Sequence, residues 1–233
     1  MKPKVAIACQ GGGSQTAFTA GVMKALFENN VQDHFTIVSL SGTSGGAICA
    51  FLIWYALKKG DNPVWKRLLD FWHDNSAQTY QERLFNDVVI KSLELTSKGL
   101  LPQYNLTPYS PLAKTWLSSA TTGLRSQFTD LKELLAAHID DSELEAWGAQ
   151  LEPPILLLGA CNVLTGKLHK FNSRYEPIKI EQLLASSCVP NIFQTVVIEE
   201  NGKKKAYWDG LFSDNPPIRS LYKAAFVGME NIP

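Results

Sequence analysis

The sequence predicts an α/β protein in which strands pair in parallel and helices cover the sheet. Two observations predict this class. Val5–Cys9 is an unbroken apolar run, which is typical of a strand buried on both faces of a parallel sheet. Strand-like and helix-like segments then alternate between residues 5 and 59, in the order of a βαβα unit, and such units connect parallel strands through a right-handed crossover.

The elements of this unit follow one another closely. Strands are predicted at 5–9 and 35–40, and helices at about 16–28 and 45–59. Ser41 and Gly42 are expected to turn the second strand sharply towards the second helix. Gly60 is expected to end that helix, because glycine adopts the left-handed conformation favoured at a helix C-terminus.

Residues 62–150 are predicted to be a mainly helical insertion within a single domain that spans residues 1–233. The segment 101–111 is polar and interrupted by prolines, so it is expected to be a loop or a cap. A buried strand follows at 155–160. The later predicted elements are a strand at 168–171 that could pair with it, a helix at 180–187, and hairpin strands at 195–198 and 205–208 flanking Asn201-Gly202.

Composition and charge exclude several functions. Lys and Arg total 22 and Asp and Glu total 22, so there is no basic surplus that would indicate nucleic-acid binding. The four cysteines lie in apolar stretches without metal-ligand spacing, which predicts buried free thiols in a reducing, cytoplasmic compartment and neither a metal nor a cofactor. The longest apolar run, 47–57, is too short to span a bilayer, so membrane contact is expected to be peripheral.

Ser44 lies in the turn Gly-Thr-Ser-Gly-Gly, between an apolar strand and an apolar helix. A tight turn at this point can present a serine hydroxyl at the sheet edge as a nucleophile. The free amides at the start of the helix, such as that of Gly45, would stabilise an oxyanion. By itself the motif is equally compatible with Ser44 acting only as a helix cap.

The glycine run Gly11-Gly12-Gly13 follows the first strand directly, and such a run can turn backbone amides towards an anion. A dinucleotide-binding fingerprint would need a third glycine where Thr16 stands, and an acidic residue at the end of the second strand. Two neighbouring strand ends, one with a glycine run and the other with Ser44, favour an oxyanion hole that faces a nucleophile.

A nucleophilic serine needs a base, and none of the four histidines lies in a recognisable catalytic setting. No histidine follows Asp209, so the common Ser–Asp–His order cannot be completed beyond that residue. Asp209 itself follows a hairpin strand and precedes Gly210. It is a candidate base, although Asp-Gly is also an ordinary turn sequence.

Three motifs together resemble the patatin-like phospholipase family: Gly-Gly-Gly-Ser-Gln-Thr, Gly-Thr-Ser-Gly-Gly, and Asp-Gly-Leu-Phe-Ser-Asp-Asn-Pro-Pro. Residues 17–26 and 185–190 also resemble the family, whereas residues 62–150 show no such resemblance. The resemblance implies a three-layer α/β/α sandwich with a mostly parallel central sheet. It also implies hydrolysis of acyl lipids by a Ser44–Asp209 dyad, with Gly11, Gly12 and Gly13 as oxyanion donors.

The sequence departs from the family pattern at three positions. Gln15 and Thr16 replace a basic residue and a glycine, and Leu211 stands where a small residue is usual. The chain ends at Pro233, where relatives continue through another strand and helix, so its C-terminal end is expected to be truncated. Two alternatives remain open at this point: an acyl-lipid-binding protein without turnover, and a phosphate- or nucleotide-binding α/β module.

Overall fold

The computed structural model describes residues 2–102, 110–190, 192–200, 202–219 and 221. Most of the predicted loop or cap at 101–111 therefore lies outside the described residues, as do Asn201 of the hairpin turn and the C-terminal residues 222–233. The strands are β1 (Lys4–Cys9), β2 (Thr36–Thr43), β3 (Ile155–Asn162), β4 (Leu168–Asn172), β5 (Val196–Glu200) and β6 (Lys203–Asp209).

Helices connect these strands. The α-helices are α1 (Ala17–Glu28), α2 (Val31–His34), α3 (Gly45–Lys59), α4 (Lys66–Asn75), α5 (Tyr80–Ser97), α6 (Pro111–Ala120), α7 (Ser126–Thr129), α8 (Leu131–His138), α9 (Asp141–Trp147) and α10 (Ile180–Ser187). Short 3₁₀ turns cover Gly13–Thr16 and Gly210–Phe212. The predicted helical insertion is confirmed for the described residues between 62 and 150, where α4 to α9 occur and no strand does.

The six strands form one sheet. β1, β2 and β3 pair in parallel, β4 and β6 pair antiparallel with β3, and β5 pairs antiparallel with β6. It follows that β1, β2, β3 and β5 point in one direction and β4 and β6 in the other. The predicted mixed α/β class, with a mostly parallel sheet and helices packed against it, is confirmed, and so is the β5–β6 hairpin.

β3 pairs with three strands, one along one of its edges and two along the other. Its residues 157–161 pair with β4 along one edge. On the opposite edge, β2 pairs with residues 155–159 and β6 pairs with 160–162. β2 and β6 therefore lie end to end along the same edge of β3, with their C-terminal ends meeting between Gly159 and Ala160.

The core is organised around α3. Every residue from Gly45 to Ala56 is buried, which agrees with its apolar composition on all sides. The indole Nε1 of Trp54 is satisfied by donating to the carbonyl of Pro154 at 2.8 Å. Gly60 follows the helix with φ of 76°, as expected of a left-handed helix C-cap.

The predicted turn at Ser41 and Gly42 is wrong in its position. β2 continues through both residues to Thr43, because Ser41 pairs with Ala8 and Leu157 while Gly42 pairs with Cys9 and Leu158. Sheet pairing on both sides holds these residues extended, although serine and glycine are weak strand formers. The chain turns two residues later, at Ser44.

The helical insertion is tied together by one buried ion pair. Glu82, whose side chain is fully buried, accepts from Nε of Arg125 at 2.7 Å, and it also caps the start of α5 by accepting from the amide of Thr79. Arg125 donates further to the carbonyl of Ser76 at 2.9 Å. The guanidinium lowers the pKa of Glu82 to about 2.

The cysteines are as predicted. All four, Cys9, Cys49, Cys161 and Cys188, are free and buried. Burial raises the pKa of the Cys49 thiol to about 12 and that of Cys188 to about 11.

Candidate active site

Ser44 is the single residue between β2 and α3, and its backbone is unusual. Its φ is 57° and its ψ is −134°, a combination that residues with a side chain rarely adopt. Non-glycine residues held in such conformations cluster at functional sites, because the surrounding structure must maintain the strain. The residue is nearly buried, with 7% of its surface exposed.

The glycines of the turn are needed for close packing. A side-chain carbon on Gly42 would overlap the carbonyl of Gly46, and one on Gly46 would overlap the carbonyls of Cys9 and Gln10. The strand–helix elbow at 42–46 can therefore fold tightly because Gly42 lacks a Cβ, and it can lie against the end of β1 because Gly46 lacks one. This contact brings the glycine run after β1 next to Ser44.

Asp209 ends β6 and lies beside the elbow because of the sheet register. Thr43 pairs with Gly159, and Asp209 pairs with the next residue, Ala160. Gly210, the residue after β6, lies against the end of β2, since a side-chain carbon on it would lie 2.9 Å from Cγ2 of Thr43. The structure therefore brings together the two residues predicted to form the dyad.

The carboxyl group of Asp209 is fully buried. Its Oδ1 accepts from the amide of Leu211 at 2.9 Å, while Oδ2 has no hydrogen-bond partner among the described residues. Burial raises the pKa of Asp209, and the Leu211 amide and the nearby Ser44 hydroxyl lower it by less. A buried carboxylate with one oxygen left without a hydrogen-bond donor takes up a proton readily, because burial disfavours its charged form.

The glycine run lies against the elbow. A side-chain carbon on Gly11 would lie 2.9 Å from Cβ of Ser44. The amide of Gly11 donates to Oδ1 of Asn215 at 2.7 Å, so it is engaged within the protein. The amides of Gly12, Gly13 and Gly45 have no acceptor among the described residues, and they are free to donate to a ligand.

The departures from the family pattern have structural explanations. Thr16 is buried, and its hydroxyl donates to the carbonyl of Gly13 at 2.6 Å, so it closes the turn at the end of the glycine run. Gln15 is exposed. Leu211 is 46% exposed, and it therefore does not crowd Asp209.

Two residues that support the site were missed by the sequence reasoning. Asn215 bonds both backbone groups of Gly11, accepting from the amide and donating to the carbonyl at 3.4 Å. Ser186 accepts from the amide of Ser44 through its Oγ at 3.1 Å. Both lie within stretches that resemble the family, but nothing in the sequence indicates which backbone group each side chain contacts.

Two of the four histidines lie beside carboxylates other than Asp209. Nε2 of His138 lies 3.1 Å from Oδ2 of Asp74, and Nε2 of His169 lies 3.6 Å from Oε1 of Glu200. Among the described residues, which include all four histidines, no hydrogen bond joins a histidine to Ser44 or Asp209. Burial lowers the pKa of both His138 and His169.

The part of the chain that the structure describes lacks both a metal-binding cluster and a membrane-spanning helix. That part contains no group of three or more His, Cys, Asp or Glu side chains placed to hold a metal ion. None of its helices combines the length and apolar character needed to cross a membrane.

The fold and this site define an α/β protein with a serine at a strand–helix elbow and an aspartate at a neighbouring strand end. Residues 7–222 match the family model described as patatin-like phospholipase. The chain therefore belongs to the patatin-like phospholipase family, and lipid acyl hydrolysis is supported at the level of that family.

The other comparisons add little to this assignment. No curated protein matches the chain. Among solved structures, the crystal structure of VipD from Legionella pneumophila is similar, with 15% sequence identity and a TM-score of 0.42. The match covers 88% of this chain and 45% of VipD, so the chain spans less than half of the length of that protein.

Proposed function

We propose that this protein hydrolyses acyl esters of lipids through a covalent acyl intermediate on Ser44, with Asp209 as the general base. The observation that carries the proposal is the register on β3. It sets the strained elbow beside a buried carboxylate whose Oδ2 has no partner among the described residues. Family membership supports the acyl ester as the class of substrate.

The first half of the proposed reaction forms the acyl-enzyme. Asp209 accepts the hydroxyl proton as Oγ of Ser44 attacks the ester carbonyl, and the carbonyl π electrons move to its oxygen. As the oxyanion collapses, the bond to the alcohol breaks and the leaving alkoxide takes the proton from Asp209. The raised pKa of Asp209 suits it to this exchange, because the proton must both arrive and depart.

The second half releases the fatty acid. Water replaces the alcohol, gives a proton to Asp209 and attacks the acyl carbonyl, and Oγ of Ser44 recovers the proton on leaving. In both halves, the free amides of Gly12, Gly13 and Gly45 donate to the oxyanion. Gly11, the fourth predicted donor, is bonded to Asn215 and would have to exchange that acceptor for the substrate oxygen.

We also propose that the substrate is reached at a lipid surface by peripheral contact. Leu211 and Phe212, directly after Asp209, are 46% and 52% exposed. Ile192, on the segment that follows Cys188, is 66% exposed, and the carbonyl of Cys188 accepts from the amide of Asp209. Exposed apolar side chains on two segments beside a site suit contact with acyl chains. The four free thiols suit a reducing, cytoplasmic compartment.

The test uses two variants and a control. Ser44→Ala and Asp209→Asn should each lower kcat on p-nitrophenyl butyrate by at least about a thousandfold. Ser41→Ala, which removes a buried hydroxyl from the same strand, should retain activity. Near-parental activity in either site variant would refute the dyad.

A second measurement separates the alternatives. A fluorophosphonate probe should label the parent protein at Ser44 and should not label Ser44→Ala. Absence of labelling, together with saturable binding of a fatty acid, would favour an acyl-lipid-binding protein without turnover. Thermal stabilisation by a nucleotide, but not by a fatty acid, would favour the phosphate-binding alternative.

A further inference from the structure

Ser186 is a fully buried residue near the end of α10, and it contacts the elbow through two of its oxygens. Both its carbonyl and its Oγ accept from the amide of Ser44, each at 3.1 Å. The same Oγ donates to the carbonyl of Gly159 at 2.6 Å. One hydroxyl therefore bridges the backbone of the elbow and the backbone of β3.

The position of this bridge matters because β3 also sets the position of Asp209. Gly159 pairs with Thr43, the residue before the nucleophile, and the next residue, Ala160, pairs with Asp209. A hydroxyl that joins Ser44 to Gly159 thus ties the elbow to the strand on which the aspartate is registered. The contact lies on the amide of a residue with φ of 57°, where the backbone needs support from its surroundings.

We propose that Ser186 is a positioning residue, which holds the elbow so that the Ser44 hydroxyl faces Oδ2 of Asp209. The inference rests on the proposed function, since it assigns a role within the same site. Ser186 does not touch the ester; it acts through the amide of Ser44. Without the Ser186 hydroxyl, the amide of Ser44 loses one of its two acceptors and the carbonyl of Gly159 loses this donor. The elbow then gains freedom to rotate away from Asp209.

The neighbouring residue offers a matched control. Ser187 is also buried on α10, and its Oγ has no hydrogen-bond partner among the described residues. Ser187→Ala removes the same atom from the same helix without touching the bridge. A difference between the two alanine variants therefore reports the bridge, because both variants change the helix composition in the same way.

The experiment measures steady-state hydrolysis of p-nitrophenyl butyrate and the rate constant of fluorophosphonate labelling. Ser186→Ala should lower kcat and the labelling rate constant by about 10- to 100-fold while KM changes little, because misalignment affects attack more than ester binding. Ser187→Ala should stay within about twofold of the parent in both. Circular dichroism and thermal melts verify that the variants compared are folded.

Equal rates in Ser186→Ala, Ser187→Ala and the parent would overturn the inference, as would a rise in KM without a change in the labelling rate. If Ser186→Ala does not fold, Ser186→Cys keeps a similar size and a weak donor, and its labelling rate constant should fall below that of the parent. A parental rate in Ser186→Cys would then overturn the inference. Failure of the proposed function is distinct, because the parent protein itself would then resist labelling.

Discussion

Thr43 and Asp209 end two strands that meet along one edge of β3, opposite the consecutive residues Gly159 and Ala160. β2 runs parallel to β3 and β6 runs antiparallel to it, so their C-terminal ends point at each other. The residue after Thr43 is the strained Ser44. This arrangement brings the residue that follows β2 and the carboxylate that ends β6 to two adjoining strand ends.

The proposed role of Asp209 as the general base predicts a pH dependence of hydrolysis. The base must be ionised, and burial raises its pKa above the ordinary value of 3.8. We therefore expect kcat/KM for a neutral ester to fall as pH decreases through one ionisation that lies above 3.8. The measurement is a pH–rate profile, with thermal melts to verify folding at each pH. A profile that stays flat down to pH about 4 would contradict the assignment.

Asp209→Asn should remove activity while preserving or raising stability at neutral pH. Because the native pKa is raised, the folded state binds the proton more tightly than the unfolded state. Ionisation therefore destabilises the fold as pH rises from the ordinary value towards the native one. Asparagine carries no charge, so the melting temperature of the variant should match or exceed that of the parent at pH 7. The difference should shrink towards pH 4. A clear loss of stability at pH 7 would show that the carboxylate stabilises the fold.

Gly46→Ala should disrupt the elbow. The added methyl would overlap the carbonyls of Cys9 and Gln10, neither of which can move without shifting the end of β1. We expect a loss of about 1–3 kcal/mol in the free energy of unfolding, together with loss of hydrolysis. Gly21→Ala is the control, since it lies in α1 with open space around it, and it should be neutral or slightly stabilising. Urea unfolding compares the two, and equal stabilities would refute the steric argument.

Arg125→Met should destabilise the helical insertion by about 3 kcal/mol, because it leaves the buried charge of Glu82 without its partner. Adding Glu82→Gln should restore part of this loss, since the charge is removed while the capping oxygen remains. Lys66→Met, which breaks an exposed ion pair with Asp70, should cost at most about 1 kcal/mol. Urea unfolding at neutral pH measures all three, and similar losses for the two single variants would contradict the prediction.

The ion pair between Glu82 and Arg125 also predicts that the stability of the fold decreases in acid. The pKa of Glu82 lies at about 2, below its ordinary value of 4.5, so its ionisation favours the folded state. The stability it contributes is complete above 4.5 and is lost as pH falls towards about 2. In Glu82→Gln this part of the acid dependence should be absent, which urea unfolding at a series of pH values would reveal.

Most of the fold could be predicted from local patterns. The apolar periodicity of residues 180–187 corresponds to α10, with the bounds Ile180–Ser187. The hairpin was predicted from the Asn-Gly turn and its flanking strands, and β5 and β6 form it. Prediction failed at Ser41 and Gly42, because their extended conformation depends on pairing with two other strands rather than on their own preferences.

By itself, the sequence determined that Ser44 follows a buried strand, that Asp209 ends another, and that a glycine run follows a third. These are properties of neighbouring residues, so local composition encodes them. Only the tertiary structure decided that β2 and β6 share one edge of β3, that Asn215 engages Gly11, and that Ser186 accepts from the amide of Ser44. Such contacts join segments more than 100 residues apart, and their register is set when the sheet and α10 pack together around α3.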